Sequence, residues 1–176
     1  GQPTVIHHSK NSMGMFPWLK QRELRWFRYD PMGTLLSIRS DFELPRTPDG
    51  NLLKAREILK LENWPYTTNL FQTGRSWGFI ARNTIEDQLE LLTKLQPNYL
   101  ITQSSGLEHL SLQSISDEAK QNLRAVQGIA NTLTANMRQQ VEGALGVPVH
   151  QNYGLNEIGI VAARCPEGGR YHVHEE

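Results

Sequence analysis

The sequence predicts an α/β fold, with a largely parallel sheet flanked by helices. Three observations carry that expectation. Short apolar runs, such as residues 35–39 and 98–102, alternate with longer stretches whose apolar residues recur at helical spacing. Several of the helical stretches open on Ser or Thr and close on Gly or Pro, so their ends are marked. Glycines stand at the ends of predicted strands, at Gly128 and Gly154. Neither an internal repeat nor a low-complexity run interrupts the alternation.

In chain order, residues 9–29 read as a helix capped by Ser9 or Ser12. Met13, Phe16, Leu19, Leu24 and Phe27 form its apolar face, and Pro17 is expected to kink or split it. The large rings of Trp18, Trp26 and Tyr29 read first as ordinary core and second as an acyl pocket or dimer surface. Residues 35–39 are a strand, 41–51 a Pro- and Gly-bearing surface loop, 54–61 a short helix, and 63–75 irregular. Residues 77–81 are a strand or a turn.

Residues 84–95 make the plainest helix. Thr84 caps it with Asp87 three residues on, Ile85, Leu89, Leu92 and Leu95 share a stripe, and Pro97 ends it. A buried strand at 98–102 follows, then a turn at Ser104–Gly106 into a short helix at 107–112. Ser116 caps another short helix, and 124–127 is a strand ending at Gly128. Thr134 caps the next helix, whose Met137, Val141 and Leu145 are spaced by four. Gly146 takes the position after its last turn, and Pro148 prevents continuation.

Composition narrows the function. The chain has 176 residues, the size of one domain, and hides roughly two-thirds of its unfolded surface when folded. Eighteen basic and eighteen acidic residues balance to zero net charge, so neither nucleic acid nor membrane is expected as a bulk partner. A lone cysteine, Cys165, allows no internal disulfide and suits a reducing, cytoplasmic setting. The N-terminal Gly-Gln-Pro-Thr has no initiating Met and no signal-peptide pattern, so the expectation is a processed chain or a piece of a longer one.

The most informative stretch begins at His150. An extended run over 147–153 meets Gly154, and a second apolar run, 158–163, returns. Gly154 lacks a Cβ where the chain is expected to bend or let a ligand near the backbone. Tyr153 offers a ring face, Asn156 an amide donor, and Glu157 an anion. That trio at one strand end suits a nucleotide and its Mg²⁺. A glycine turn whose Glu is merely solvated remains the open alternative. Gly128 and Tyr153 fall at the carboxyl ends of neighbouring strands, on either side of one helix. In parallel sheets that edge is where ligands sit.

Tyr153-Gly-Leu-Asn-Glu157 resembles the Tyr-Gly-x-Thr/Ser-Glu motif of the adenylate-forming superfamily of acyl-CoA synthetases, aryl-CoA ligases and luciferases. The following Cys165-Pro-Glu-Gly-Gly-Arg-Tyr-His172-Val-His174-Glu-Glu is closest to the phenylacetate-CoA ligase-like branch. Gly1-Gln2-Pro3 resembles the last positions of that superfamily's phosphate loop. The resemblance runs through most of the chain in order, but only residues 153–172 are specific to it. It implies that Tyr153 packs on adenine, that Asn156 contacts the α-phosphate in place of the usual Thr or Ser, and that Glu157 holds Mg²⁺. Gly128 and Ile129 then lie on the adenine side, with Ile129 where the family often has Glu.

The function so implied is an ATP-dependent carboxylate ligase. A carboxylate attacks the α-phosphorus of ATP, pyrophosphate leaves, and the acyl-adenylate meets the thiol of coenzyme A. Glu157 and Asn156 are the catalytic candidates, and Tyr153, Gly154, Gly128 and Ile129 the nucleotide-binding ones. The expected partners are a small-molecule carboxylic acid and a C-terminal lid domain that this chain does not contain. Residues 1–176 then form a fragment of the large N-terminal domain, expected not to turn over alone. A different class stays open: a non-catalytic α/β binding module, or a degenerate relative in which Asn156 and Ile129 have worn the site. Cys165, His172 and His174 form a zinc-like donor set, read against a β-hairpin with surface histidines. The hairpin is preferred and zinc is not expected.

Overall fold

The computed structural model describes residues 10–65, 67, 71–155 and 159–173, with the backbone alone for 10–13. One eight-stranded sheet runs through it in the order β2-β3-β1-β4-β5-β6-β7-β8. The strands are β1 (Leu35–Arg39), β2 (Leu59–Leu61), β3 (Ser76–Ile80), β4 (Tyr99–Gln103), β5 (Ala125–Ile129), β6 (Val149–Leu155), β7 (Gly159–Arg164) and β8 (Tyr171–Val173). The central strands β3, β1, β4, β5 and β6 are parallel, while β2 at one edge and β7 and β8 at the other are antiparallel. The expected α/β class and largely parallel sheet are therefore present.

Helices cover both faces. Helices α2 (Ile85–Leu95), α3 (Ser104–Ser111), α4 (Asp117–Lys120) and α5 (Ala135–Leu145) lie on one side. There Leu36, Ile38, Leu100, Val126 and Val149 meet Leu91, Leu92, Leu107, Leu110 and Val141. Helix α1 (Lys10–Trp26) covers the other side, where Leu24, Phe27 and Tyr29 meet Leu35, Tyr99, Ile101 and Ala125. Successive strand residues point to opposite faces, so a strand buried on both sides needs apolar residues at nearly every position. β4 shows this, with Tyr99, Leu100, Ile101 and Thr102 all buried. Each fully buried Leu, such as Leu36 or Leu100, contributes roughly 1.5–3 kcal/mol of transfer free energy.

The helix ends follow local chemistry. Thr84 Oγ1 accepts from the Asp87 amide at 3.2 Å, Ser116 Oγ from Ala119, and Thr134 Oγ1 from Met137. Gly146 closes α5 in the left-handed conformation at φ 72°. Each of these matches the sequence expectation.

Four expectations are corrected. Residues 54–61 are not a helix: Arg56 turns the chain at φ 61°, and Leu59 and Leu61 pair with Gly78 and Ser76 of β3. Pro17 does not split α1, which runs unbroken because one missing amide leaves the remaining hydrogen bonds in place. Ser104 starts α3 directly after β4, with no intervening turn. Trp18 is exposed rather than core, whereas Tyr29 is buried as the core reading expected.

Candidate functional site

Parallel pairing brings the candidate residues to one edge. β5 pairs with β6 up to Gly128 opposite Gln151, and β4 pairs with β5 up to Gln103 opposite Ile129. Beyond Gln151, β6 leaves β5 and continues as a hairpin with β7, with Asn152 opposite Ala163 and Tyr153 opposite Ala162. The hairpin thus projects from the carboxyl edge of the parallel strands. Tyr153 is 52% exposed there.

Gly154 does not make the bend. It sits inside β6, where the register shifts between Tyr153 and Gly154. A Cβ at Gly154 would stand 2.9 Å from the Gly159 carbonyl oxygen, so the glycine permits close approach of the two strands at a bulge. Asn156 and Glu157, the two catalytic candidates, lie outside the described residues.

Gly128 also has a local reason other than the one expected. The space a side chain would take is held by Ser104 Oγ at 2.8 Å and Leu107 Cδ1 at 3.5 Å. Its missing side chain therefore lets α3 seat closely on β5. Ile129 is half-buried against the aromatic cluster under α1. Ala130 then takes φ 66°, and the Asn131 amide donates to the Ile129 carbonyl at 2.8 Å. A three-residue turn of this hand costs a non-glycine residue roughly 1–3 kcal/mol. It is pinned from two directions: Ser104 Oγ at 2.7 Å and Gln151 Nε2 at 3.2 Å both donate to the Asn131 carbonyl. The converging donors hold this strained turn in one conformation.

Polar side chains line the face of β6 under α1. Asn152 Nδ2 donates to Glu23 Oε2 at 2.5 Å, and Lys20 Nζ donates to Glu23 Oε1 at 2.6 Å. Glu23 is 1% exposed. His150 Nδ1 lies 2.9 Å from the Tyr29 hydroxyl. Burial, reinforced by the nearby Arg138 cation and opposed by Glu23, lowers His150 to about 4. Burial likewise raises Tyr29 well above its ordinary range, so that its hydroxyl keeps its proton and can donate to the neutral imidazole. Arg138 anchors the start of β6 through the Val149 carbonyl.

Sequence reasoning missed Glu23, Ser104, Gln151 and Asn152 as parts of this edge. Only their contacts in space group them, and no local motif marks them.

Two members of the zinc-like set, Cys165 and His172, lie among the described residues. Cys165 belongs to the β7–β8 turn, where its Sγ accepts from the Gly168 amide at 3.3 Å. His172 stands edge-on to Trp26, with ring centroids 5.2 Å apart. His174 lies outside the described residues. Among those described, no three His, Cys, Asp or Glu side chains converge as metal ligands. The expected β-hairpin is present, with Ala163 opposite His172 and Arg164 opposite Tyr171.

No family model matches the chain, and no curated protein is significantly similar to it in sequence. Solved structures do resemble it in fold. The ATP-bound RpMatB–BxBclM chimera superposes with a TM-score of 0.66 at 15% identity, over 97% of this chain and 30% of that one. The 2-hydroxyisobutyryl-CoA ligase in complex with 2-HIB-AMP and CoA gives 0.65 at 12%, over 96% and 34%. A benzoate CoA ligase from Burkholderia xenovorans LB400 gives 0.64 at 9%, over 93% and 30%. The chain therefore has the fold of part of the adenylate-forming CoA ligases, and it spans about a third of the length of these structures.

Proposed function

We propose that residues 1–176 are the nucleotide-binding core of an ATP-dependent carboxylate–CoA ligase of the phenylacetate-CoA ligase-like branch. The observation that carries this reading is the half-exposed Tyr153 on the hairpin that leaves the carboxyl edge of a parallel sheet, in a fold shared with CoA ligases. Ligands of open α/β sheets bind at that edge.

In this reading Tyr153 offers its face to adenine, and the pinned turn at 129–131 closes the end of the neighbouring strand. By the resemblance, Asn156 donates to the α-phosphate and Glu157 holds Mg²⁺, whose role is to neutralise phosphate charge. A bound carboxylic acid attacks the α-phosphorus and pyrophosphate leaves. The acyl-adenylate then passes its acyl group to coenzyme A, with a C-terminal lid domain closing over the site between the two steps. The protein's own contribution is positioning and electrostatic support.

Carboxylate-dependent ATP–pyrophosphate exchange tests the reading, on this chain and on the natural product extended at both ends, with a panel of aryl and fatty acids. Exchange by the extended form alone supports a ligase whose core is this chain. Exchange by neither, with folding intact, favours a non-catalytic binding module, a reading that Ile129 packed into the core also suits.

A further inference from the structure

We propose that Glu23 is a positioning residue for the nucleotide edge: its carboxylate fastens α1 to Asn152 and so fixes the strand segment that presents Tyr153. The proposal rests on the nucleotide reading of Tyr153 given above.

The argument begins with cost. A carboxylate 1% exposed inside a helix loses its hydration, and such groups persist only where charge and hydrogen bonds replace the water. Glu23 has both, from Lys20 at 2.6 Å on its own helix and from Asn152 at 2.5 Å on β6. A helix that only had to cover the sheet would be served by an apolar residue here. The carboxylate instead aims at one amide, across 129 residues of sequence.

That amide sits where β6 has least support. The ladder with β5 ends at Gln151, and the register shifts after Tyr153. Asn152 and Tyr153 therefore have a strand neighbour on one flank only, β7. Asn152 Oδ1 is buried without a hydrogen-bond partner among the described residues, so the Glu23 bond is what orients this side chain. Helix α1 touches the return strand as well. Gly159 has φ 79°, and the space of its missing side chain is filled by the Phe16 ring. One helix thus grips both strands of the projecting hairpin, Asn152 through Glu23 and Gly159 through Phe16.

Backbone hydrogen exchange and calorimetric titration with AMP test this on the chain as it stands. In Glu23→Leu the amides of 152–154 and 160–163 are expected to exchange faster than in the wild type, while those of β4 are unchanged. AMP affinity is expected to fall about tenfold, the scale of one hydrogen bond to a charged group. Glu23→Gln, which keeps an acceptor for Asn152, is expected to restore most of that affinity. If Glu23→Leu does not fold, Asn152→Ala removes the other end of the bond and is expected to show the same pattern. Unchanged exchange in the hairpin of a folded variant overturns the proposal, as does unchanged AMP affinity beside a wild type that binds. A wild type that binds no AMP overturns the nucleotide reading instead, and the positioning role with it.

Discussion

His150 lies flat on Phe27, with ring centroids 4.2 Å apart and planes 13° from parallel. The stack holds a buried imidazole between β6 and the end of α1, where the charged form loses its water.

A pH dependence follows from that burial. The folded-state value of about 4 lies below the ordinary 6.5, so the unfolded chain binds the proton more readily. The contribution is complete above pH 6.5 and is lost as pH falls toward 4. Between pH 7 and pH 5 the chain is expected to lose about 2 kcal/mol from this group. Urea denaturation at the two values measures it. In His150→Leu the difference should shrink, and a difference as large as in the wild type refutes the assignment.

Gly128→Ala places a methyl group against Ser104 Oγ, 2.8 Å from the ideal Cβ position. The expected cost is about 1–3 kcal/mol from overpacking between β5 and α3. Ser104→Ala in the same chain removes the closest atom, so the double variant should be less destabilised than the sum of the two single ones. Thermal or urea unfolding of all three closes the cycle, and strict additivity counts against the contact.

Tyr153→Ala separates binding from stability. Tyr153 is 52% exposed, so stability should change by no more than about 0.5 kcal/mol. AMP affinity should fall about tenfold or more if the ring stacks on the base, since such stacking is worth about 1–3 kcal/mol. Tyr153→Phe should bind nearly as well as the wild type. Equal affinities for all three proteins would remove the ring from the site.

Thr84→Ala and Thr134→Ala each delete a side-chain acceptor at a helix start. Each is expected to cost about 1 kcal/mol, and Ser at either position to recover most of it. Chemical denaturation of the four variants provides the check.

The contrast between Thr84 and Arg56 shows what the chain makes legible. Thr84 and Asp87 are three residues apart, and the bond between them is a local affair that sequence spacing reveals. Residues 54–61 also look locally helical, but Leu59 and Leu61 are claimed by Gly78 and Ser76 of β3, and that pairing outweighs propensity. The same division runs through the candidate site. Tyr153 stands out because a ring beside a glycine is a local pattern, but its place inside a β6–β7 hairpin needed the pairing. The Glu23–Asn152 bond joins residues far apart in sequence, and neither residue announces its partner. Gly128 was legible as a required glycine, while the reason, α3 pressing on β5, needed the packing.

The strand order has a kinetic consequence. From β4 to β8 each strand lies beside the next one in sequence, so this half of the sheet can grow by adding one neighbour at a time. In the other half β2 and β3 are also sequence neighbours, but Leu35 of β1 must find Ser76 on one side and Tyr99 on the other. Closing those longer loops costs entropy before any contact rewards it, which slows formation. β1 is thus the strand whose pairing closes the longest loops, and it is the one that joins β3 and β2 to the half that carries Tyr153.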